Sequence, residues 1–290
     1  MKPAIIIAAV AVFFTGTAGK VAPGRSLPFE VTPVTVPVIP GRIDEASGIA
    51  DSRKNPGFIW VQQDSGNPPE LFLLSYQGMV MKRIPVKGVF NRDWEDIVVS
   101  KGPVKGRDYI YIAETGDNDH AHADFMIYRF PEPSASAEFI SDPEQIRFEY
   151  PDQTHDVEAI LVDPETLDIF LLTKQDSLSR IYVLPYPQRT DGINTAVFLG
   201  QMTVGGISSA SLSMDGKEIL VKTYTNIYYW ERPAGETIED ALKRTPLSLG
   251  YVLEPQGEAI CFRNDNTGFF TLSEKPFFAA SVPLSFYRRR

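Results

Sequence analysis

The chain has 290 residues, 43% of them hydrophobic, a formal charge of −9 and a single cysteine. That balance supplies apolar residues for a sizeable core and argues against binding to a phosphate backbone. One thiol, Cys261, excludes any internal disulfide; in the apolar run AICF it reads as an inert core residue.

In chain order, Lys2, the apolar run AIIIAAVAVFF (4–14) and the small residues TGTAG (15–19) have the form of a secretory signal peptide. Export is therefore expected over 1–19, to the periplasm or the cell exterior, with residues 20–290 as one domain. No cysteine stands at the cleavage point to carry a lipid anchor, and no long apolar run follows to span a membrane. Five stretches of related form come next: 45–86, 94–130, 157–184, 206–230 and 257–284. Each opens with a short motif (EASGI, WEDI, VEAI, GISSA, GEAI) and continues into a β-branched and aromatic run. The runs are FIWV (58–61), DYIYIA (108–113), DIFLL (168–172), KEILV (217–221) and TGFFTL (267–272). Their lengths and turn-rich boundaries predict strands, and 23 prolines and 21 glycines punctuate them. The one helix predicted is ETIEDALKR (236–244), acidic at its start and basic at its end.

A three- or four-stranded unit repeated at roughly fifty residues predicts an all-β β-propeller of five blades. Six blades would need a copy that the sequence lacks, and a two-sheet sandwich would not explain the period. The stretch VTPVTVPVI (31–39) is expected to supply the outer strand of the last blade and close the ring. Trp60 and Trp94 are assigned to blade cores.

In a propeller the innermost strands line a channel, so Ser47, Glu95, Glu158, Ser209 and Glu258 are expected to converge. Ser208 is the close alternative in the fourth copy. Carboxylates gathered in a narrow channel repel one another, and a hard cation resolves this; calcium, taking six to eight oxygens, is the expected ion. The competing reading is that these residues stitch neighbouring blades through backbone amides. The loops after the second strands should ring the same mouth. They bring Asp64, Glu114, Asp117, Asn118 and Asp119 on one side, and Lys174, Lys222 and Lys275 on the other. Such a cleft suits a small anionic ligand, or another protein docked on that face. GDNDHAHAD (116–124) begins like a calcium loop, but Ala121 replaces the third ligand. His120 and His122 would need a third metal ligand, and His155 reads as a structural hydrogen-bond partner. No nucleophile elbow, phosphate-binding glycine loop or zinc-protease motif occurs.

The combination EASGI, GFIWVQQDSG, DWEDI, YIYIAETGDN, IYRFPEP, HDVEAILVDPET, LLTK and QGEAI resembles a family of exported bacterial β-propeller proteins with WD-like repeats. The resemblance covers about Arg42 to Ser273. It departs at Glu114, where Asp is more usual, and at QQDSG, where an asparagine-containing version is more common. It implies the fold and export, and brings no agreed activity. The order serine, glutamate, glutamate, serine, glutamate at Ser47, Glu95, Glu158, Ser209 and Glu258 is also similar to the channel ligands of calcium-activated apyrases. That likeness implies calcium and, less directly, nucleotide hydrolysis; propeller lactonases and phytase-like esterases share the channel geometry. The expected function is a binding or scaffold module. The alternative is a metal-dependent hydrolase of a phosphorylated or ester substrate, with Asp64, Glu114 or Asp117 orienting water and Lys174 and Lys222 neutralising charge.

Overall fold

The computed structural model describes residues 26–39, 43–174, 177–276, 279 and 281–290; the expected leader over 1–19 lies outside them. Strand β1 (Val34–Pro37) precedes five runs of strands: β2 (Ala46–Asp51) to β5 (Val80–Pro85) through β3 (Phe58–Gln63) and β4 (Glu70–Ser75) form the first sheet. The second contains β6 (Trp94–Lys101), β7 (Asp108–Glu114), β8 (Phe125–Pro131) and β9 (Glu144–Glu149). In the third, β10 (Val157–Val162), β11 (Ile169–Thr173) and β12 (Arg180–Leu184) are followed by β13 (Ile193–Thr195) and β14 (Val197–Gln201). Here β14 completes the sheet, while β13 crosses to pair in parallel with β9 and ties the third blade to the second. The fourth holds β15 (Ile207–Leu212), β16 (Glu218–Thr223), β17 (Ile227–Glu231) and β18 (Leu247–Leu249), with helix α1 (Ile238–Lys243) between the last two. Strands β19 (Gly257–Phe262), β20 (Gly268–Ser273) and β21 (Pro283–Arg288) form the fifth.

Strand β1 pairs antiparallel with β21, from Val34 opposite Phe286 to Pro37 opposite Pro283. The N-terminal stretch thus supplies the fourth strand of the last blade, as expected. The five innermost strands touch in a closed cycle, β2–β6–β10–β15–β19–β2, which makes the molecule a five-bladed β-propeller.

Burial explains the sequence pattern. Second strands such as β11, β16 and β20 are buried at every position because another blade covers each face. Outer strands alternate: β9 buries only Ile146 and Phe148. Trp60 and Trp94 are fully buried between blades one and two, and their indole N–H groups donate to Glu132 Oε1 (2.8 Å) and the Phe90 carbonyl (3.1 Å). Helix α1 is capped by Thr237, which accepts from the Asp240 N–H at 3.0 Å, and its Ile238, Ala241 and Leu242 enter the core between blades three and four. Cys261 is buried, and burial pushes its thiol well above the ordinary range. Among the described residues, no helix is long and apolar enough to cross a membrane.

Candidate metal centre

Each innermost strand begins with a one-residue irregularity. Ala46 opposes Gln63 but Gly48 opposes Gln62, so Ser47 has no partner across the ladder. The same skip leaves out Glu95, Glu158, Ser208 and Glu258. A β-bulge re-aims the extra side chain, and here it recurs in every blade at the mouth of the channel. Ser208, not Ser209, therefore occupies the repeated position in the fourth blade. Ser209 lies one residue deeper, fully buried, and donates to Asp96 Oδ1 at 3.3 Å.

The five repeated residues do not form one ring of equals. Ser47 Oγ donates to the Glu95 carbonyl (2.8 Å) and Ser208 Oγ to the Gly257 carbonyl (3.3 Å), each reaching the next blade. Glu95, Glu158 and Glu258 line a pit of ≈ 300 Å³ together with Asp64, Asp93 and Lys174. Two groups of carboxylates share Glu95: Asp64, Asp93 and Glu95 bring oxygens within 4.8 Å of one another, and Glu95, Asp156 and Glu158 do the same. Asp93 and Asp156 were not singled out from sequence. Both stand two residues before a repeated glutamate, in DWE and DVE, immediately ahead of the bulged strand. That placement was the available signal.

Electrostatics in the pit follow from this crowding. Burial, then the charges of Asp64, Asp156 and Glu114, push the Asp93 carboxyl up to about 7. Glu95 is held well above its ordinary range by burial and by Glu158, Asp93 and Asp64. Glu158 rises to about 8 through burial, although Lys174 Nζ lies 2.5 Å from its Oε1 and opposes the rise. On the rim, Glu274 rises to about 8 through burial and its neighbour Glu258. Burial disfavours the Lys174 ammonium, but Glu158 outweighs it and holds the proton on. Gly116 closes one wall: a Cβ there would come within 2.2 Å of Asp93 Oδ2 and 2.3 Å of Glu95 Oε1.

The loop residues divide by role. Glu114 accepts from the N–H groups of Arg92 (3.0 Å) and Asp93 (2.7 Å), so it positions the loop that carries Asp93. Gln63 does the same for Asp44 and Glu45 in the first blade. Asp117 is buried and accepts from Ala121 (2.7 Å) and His122 (3.2 Å), closing its own turn. Asn118 and Asp119 are exposed beside it and line the pit. The expected basic side is not assembled. Lys222 is completely buried, donating to the Gly257 carbonyl (2.5 Å) and the Tyr251 hydroxyl (2.9 Å), and Lys275 lies 3.5 Å from Asp44. Lys174 alone of the three faces the pit. His122 lines it, His120 is exposed, and His155 is buried against Tyr150 and Tyr182 with Asp152 at 3.2 Å.

Besides the two serines, a residue one step deeper stitches the blades. Asp96 is fully buried and accepts from the N–H groups of Ile97 and Ile160, both at 3.0 Å, and from Ser209, joining β6, β10 and β15 across the axis. Toward the other end of these strands a small cavity of ≈ 30 Å³ is lined by Ile49, Ile97, Ala210 and Cys261. Such an acidic pit as the one at the mouth can hold a hard cation through carboxylate oxygens. No protein-family model matches the chain, and no curated protein matches it.

Proposed function

We propose that the protein is an exported β-propeller binding module that holds a calcium ion at the acidic mouth of its channel. The reading rests on the two carboxylate groups that share Glu95, whose oxygens approach within 4.8 Å, with Lys174 the one lysine or arginine lining the pit among the described residues. Carboxylates so close and so buried are costly without a counter-ion. Asp64, Asp93, Glu95 and Glu158 offer oxygens, and water or backbone carbonyls would complete the six to eight that calcium takes. The resemblance to exported bacterial propellers and to the apyrase ligand order points the same way. A small anionic ligand, or a protein carboxylate, would then meet the outer side of the ion next to Lys174.

Thermal unfolding in EDTA and then in millimolar calcium tests this reading. Calcium should raise the midpoint of the native protein, and Glu95→Gln should remove the rise. A midpoint indifferent to both additions would leave the mouth as a metal-free structural feature.

A metal-dependent hydrolase remains the second reading, favoured by Lys174 standing beside the carboxylates. Its catalytic set is smaller than the sequence suggested: Glu114 and Lys222 are engaged with backbone away from the pit, and Asp117, which lines it, closes its own turn, so Asp64 and Lys174 remain. Calcium-dependent turnover of a phosphate or carboxylic ester, lost in Lys174→Ala with calcium binding retained, would establish it.

A further inference from the structure

The seam between the fourth and fifth blades is sealed by a residue from outside both strand repeats. Phe29 is buried there against Leu220, with its ring 5.7 Å from Tyr229 and 5.0 Å from Phe269. Arg289 covers it, 4.7 Å from the ring centroid, and pairs with Glu218 at 2.7 Å. An apolar anchor and an adjacent guanidinium thus close the groove on the face opposite the acidic pit.

The same groove exists one blade earlier. Strand register sets Ile169 opposite Val162 as it sets Ile219 opposite Leu212, so Phe170 takes the place of Leu220. Across the next ladder Val183 takes the place of Tyr229, and at the start of the second strand Asp168 takes the place of Glu218. At this seam Ile238 of α1 forms part of one wall, yet a cleft of ≈ 450 Å³ stays open over Phe170, Val183 and Leu199. Among the described residues, no aromatic ring from another blade lines it. Its border is acidic: Asp163, Glu165, Asp168, Asp215, Glu236 and Glu239 line it against only Lys217 and Arg232. Four of those carboxylates are paired, Asp163 with Arg232 (3.1 Å), Asp215 with Lys217 (3.4 Å), Glu236 with Arg244 (2.8 Å) and Glu239 with Lys243, which leaves Glu165 and Asp168 as the surplus.

We propose that this cleft docks a segment of a partner protein that inserts one aromatic or branched apolar side chain over Phe170 and Val183. A lysine or arginine next to that anchor would face Glu165 and Asp168. The anchor copies Phe29, the basic neighbour copies Arg289, and the surplus of carboxylates selects against acidic segments.

Selection from a displayed library of random peptides of about seven residues on the full chain tests the assignment. Enriched peptides should combine an aromatic or branched apolar residue with lysine or arginine. Synthetic copies should bind at least about tenfold more weakly when that anchor is changed to serine. The same loss is expected with protein carrying Glu165→Lys and Asp215→Lys, both exposed positions, or carrying Leu199→Arg. Absence of enrichment, or enrichment of acidic peptides, overturns the proposal, as does binding that ignores all three protein substitutions. Self-association of the native protein that the double charge reversal abolishes would also overturn it, by making a second copy the occupant.

Discussion

Replacing Asp93 by asparagine separates a cation site from a structural acidic cluster by sign. In the native fold the Asp93 carboxyl is pushed from 3.8 to about 7, with burial first and Asp64 next among the causes. At about 1.4 kcal/mol per pH unit this would amount to about 4 kcal/mol of strain in the charged form. The group is only partly enclosed, and solvent screening reduces the figure to roughly 1–2 kcal/mol. In EDTA at pH 8, Asp93→Asn should therefore unfold at a higher temperature than the native protein, by roughly 2–6 °C. Calcium reverses the order. A ligand at a hundred times its dissociation constant adds about 2.7 kcal/mol, a rise of roughly 5–10 °C, and the variant should lose most of it. Scanning calorimetry under the two conditions reads both effects. A variant less stable than the native protein in EDTA, or one that keeps the full calcium rise, would refute the reasoning.

Stability in EDTA should fall as pH rises from about 5 to 8. Asp93, Glu158 and Glu274 keep their protons in the native state up to about 7, 8 and 8, whereas the unfolded chain loses them near its ordinary carboxylate values. Saturating calcium should flatten or invert that slope in a series of thermal melts. Asp96→Ala should cost about 3 kcal/mol or more in urea unfolding, because it strands the N–H groups of Ile97 and Ile160 and the Ser209 hydroxyl; the calcium rise should persist in the folded variant. Lys222→Met should destabilise by about 3–5 kcal/mol, since it leaves the buried Glu254 carboxyl, 3.9 Å away, without its cation. Adding Glu254→Gln should recover much of that loss, and a double variant as unstable as the single one would show that packing of the lysine stem dominates.

The fold was legible because its signal is written five times over. Runs such as DIFLL and KEILV are apolar on both faces, and only a strand covered on both sides needs that composition. Ring closure by β1 was legible too, since VTVP is an extended stretch with no partner nearby in sequence. Strand β13 was not. INT carries no apolar pattern, and its parallel pairing with β9 is set by how two blades happen to face each other. Helix α1 came out shorter than 236–244 because Thr237, not Glu236, captures the first free amide.

The site was read less well, for a reason that lies in the bulge itself. Alignment by residue type cannot choose between Ser208 and Ser209, since the choice depends on which residue the ladder skips, and the skip is a property of paired backbones. The same bulges adjoin Asp93 and Asp156. They stand two positions before Glu95 and Glu158, just ahead of strands β6 and β10, and bring oxygens within 4.8 Å of Glu95. Lys222 failed in the opposite sense: its place near the end of a second strand suggested the rim, but the residue opposite it across the ladder is Ser209, one level below the bulge. Depth along the channel divides the work. At the bulge, acidic side chains line an open pit and repel one another, which is the basis for the proposed cation. One residue further in, Asp96 meets backbone amides instead of other carboxylates, so the same chemical group joins three strands. Cation binding and stitching are rival readings of a single motif, and in the adjacent pair Glu95–Asp96 the proposed cation site and the observed stitching fall on different residues.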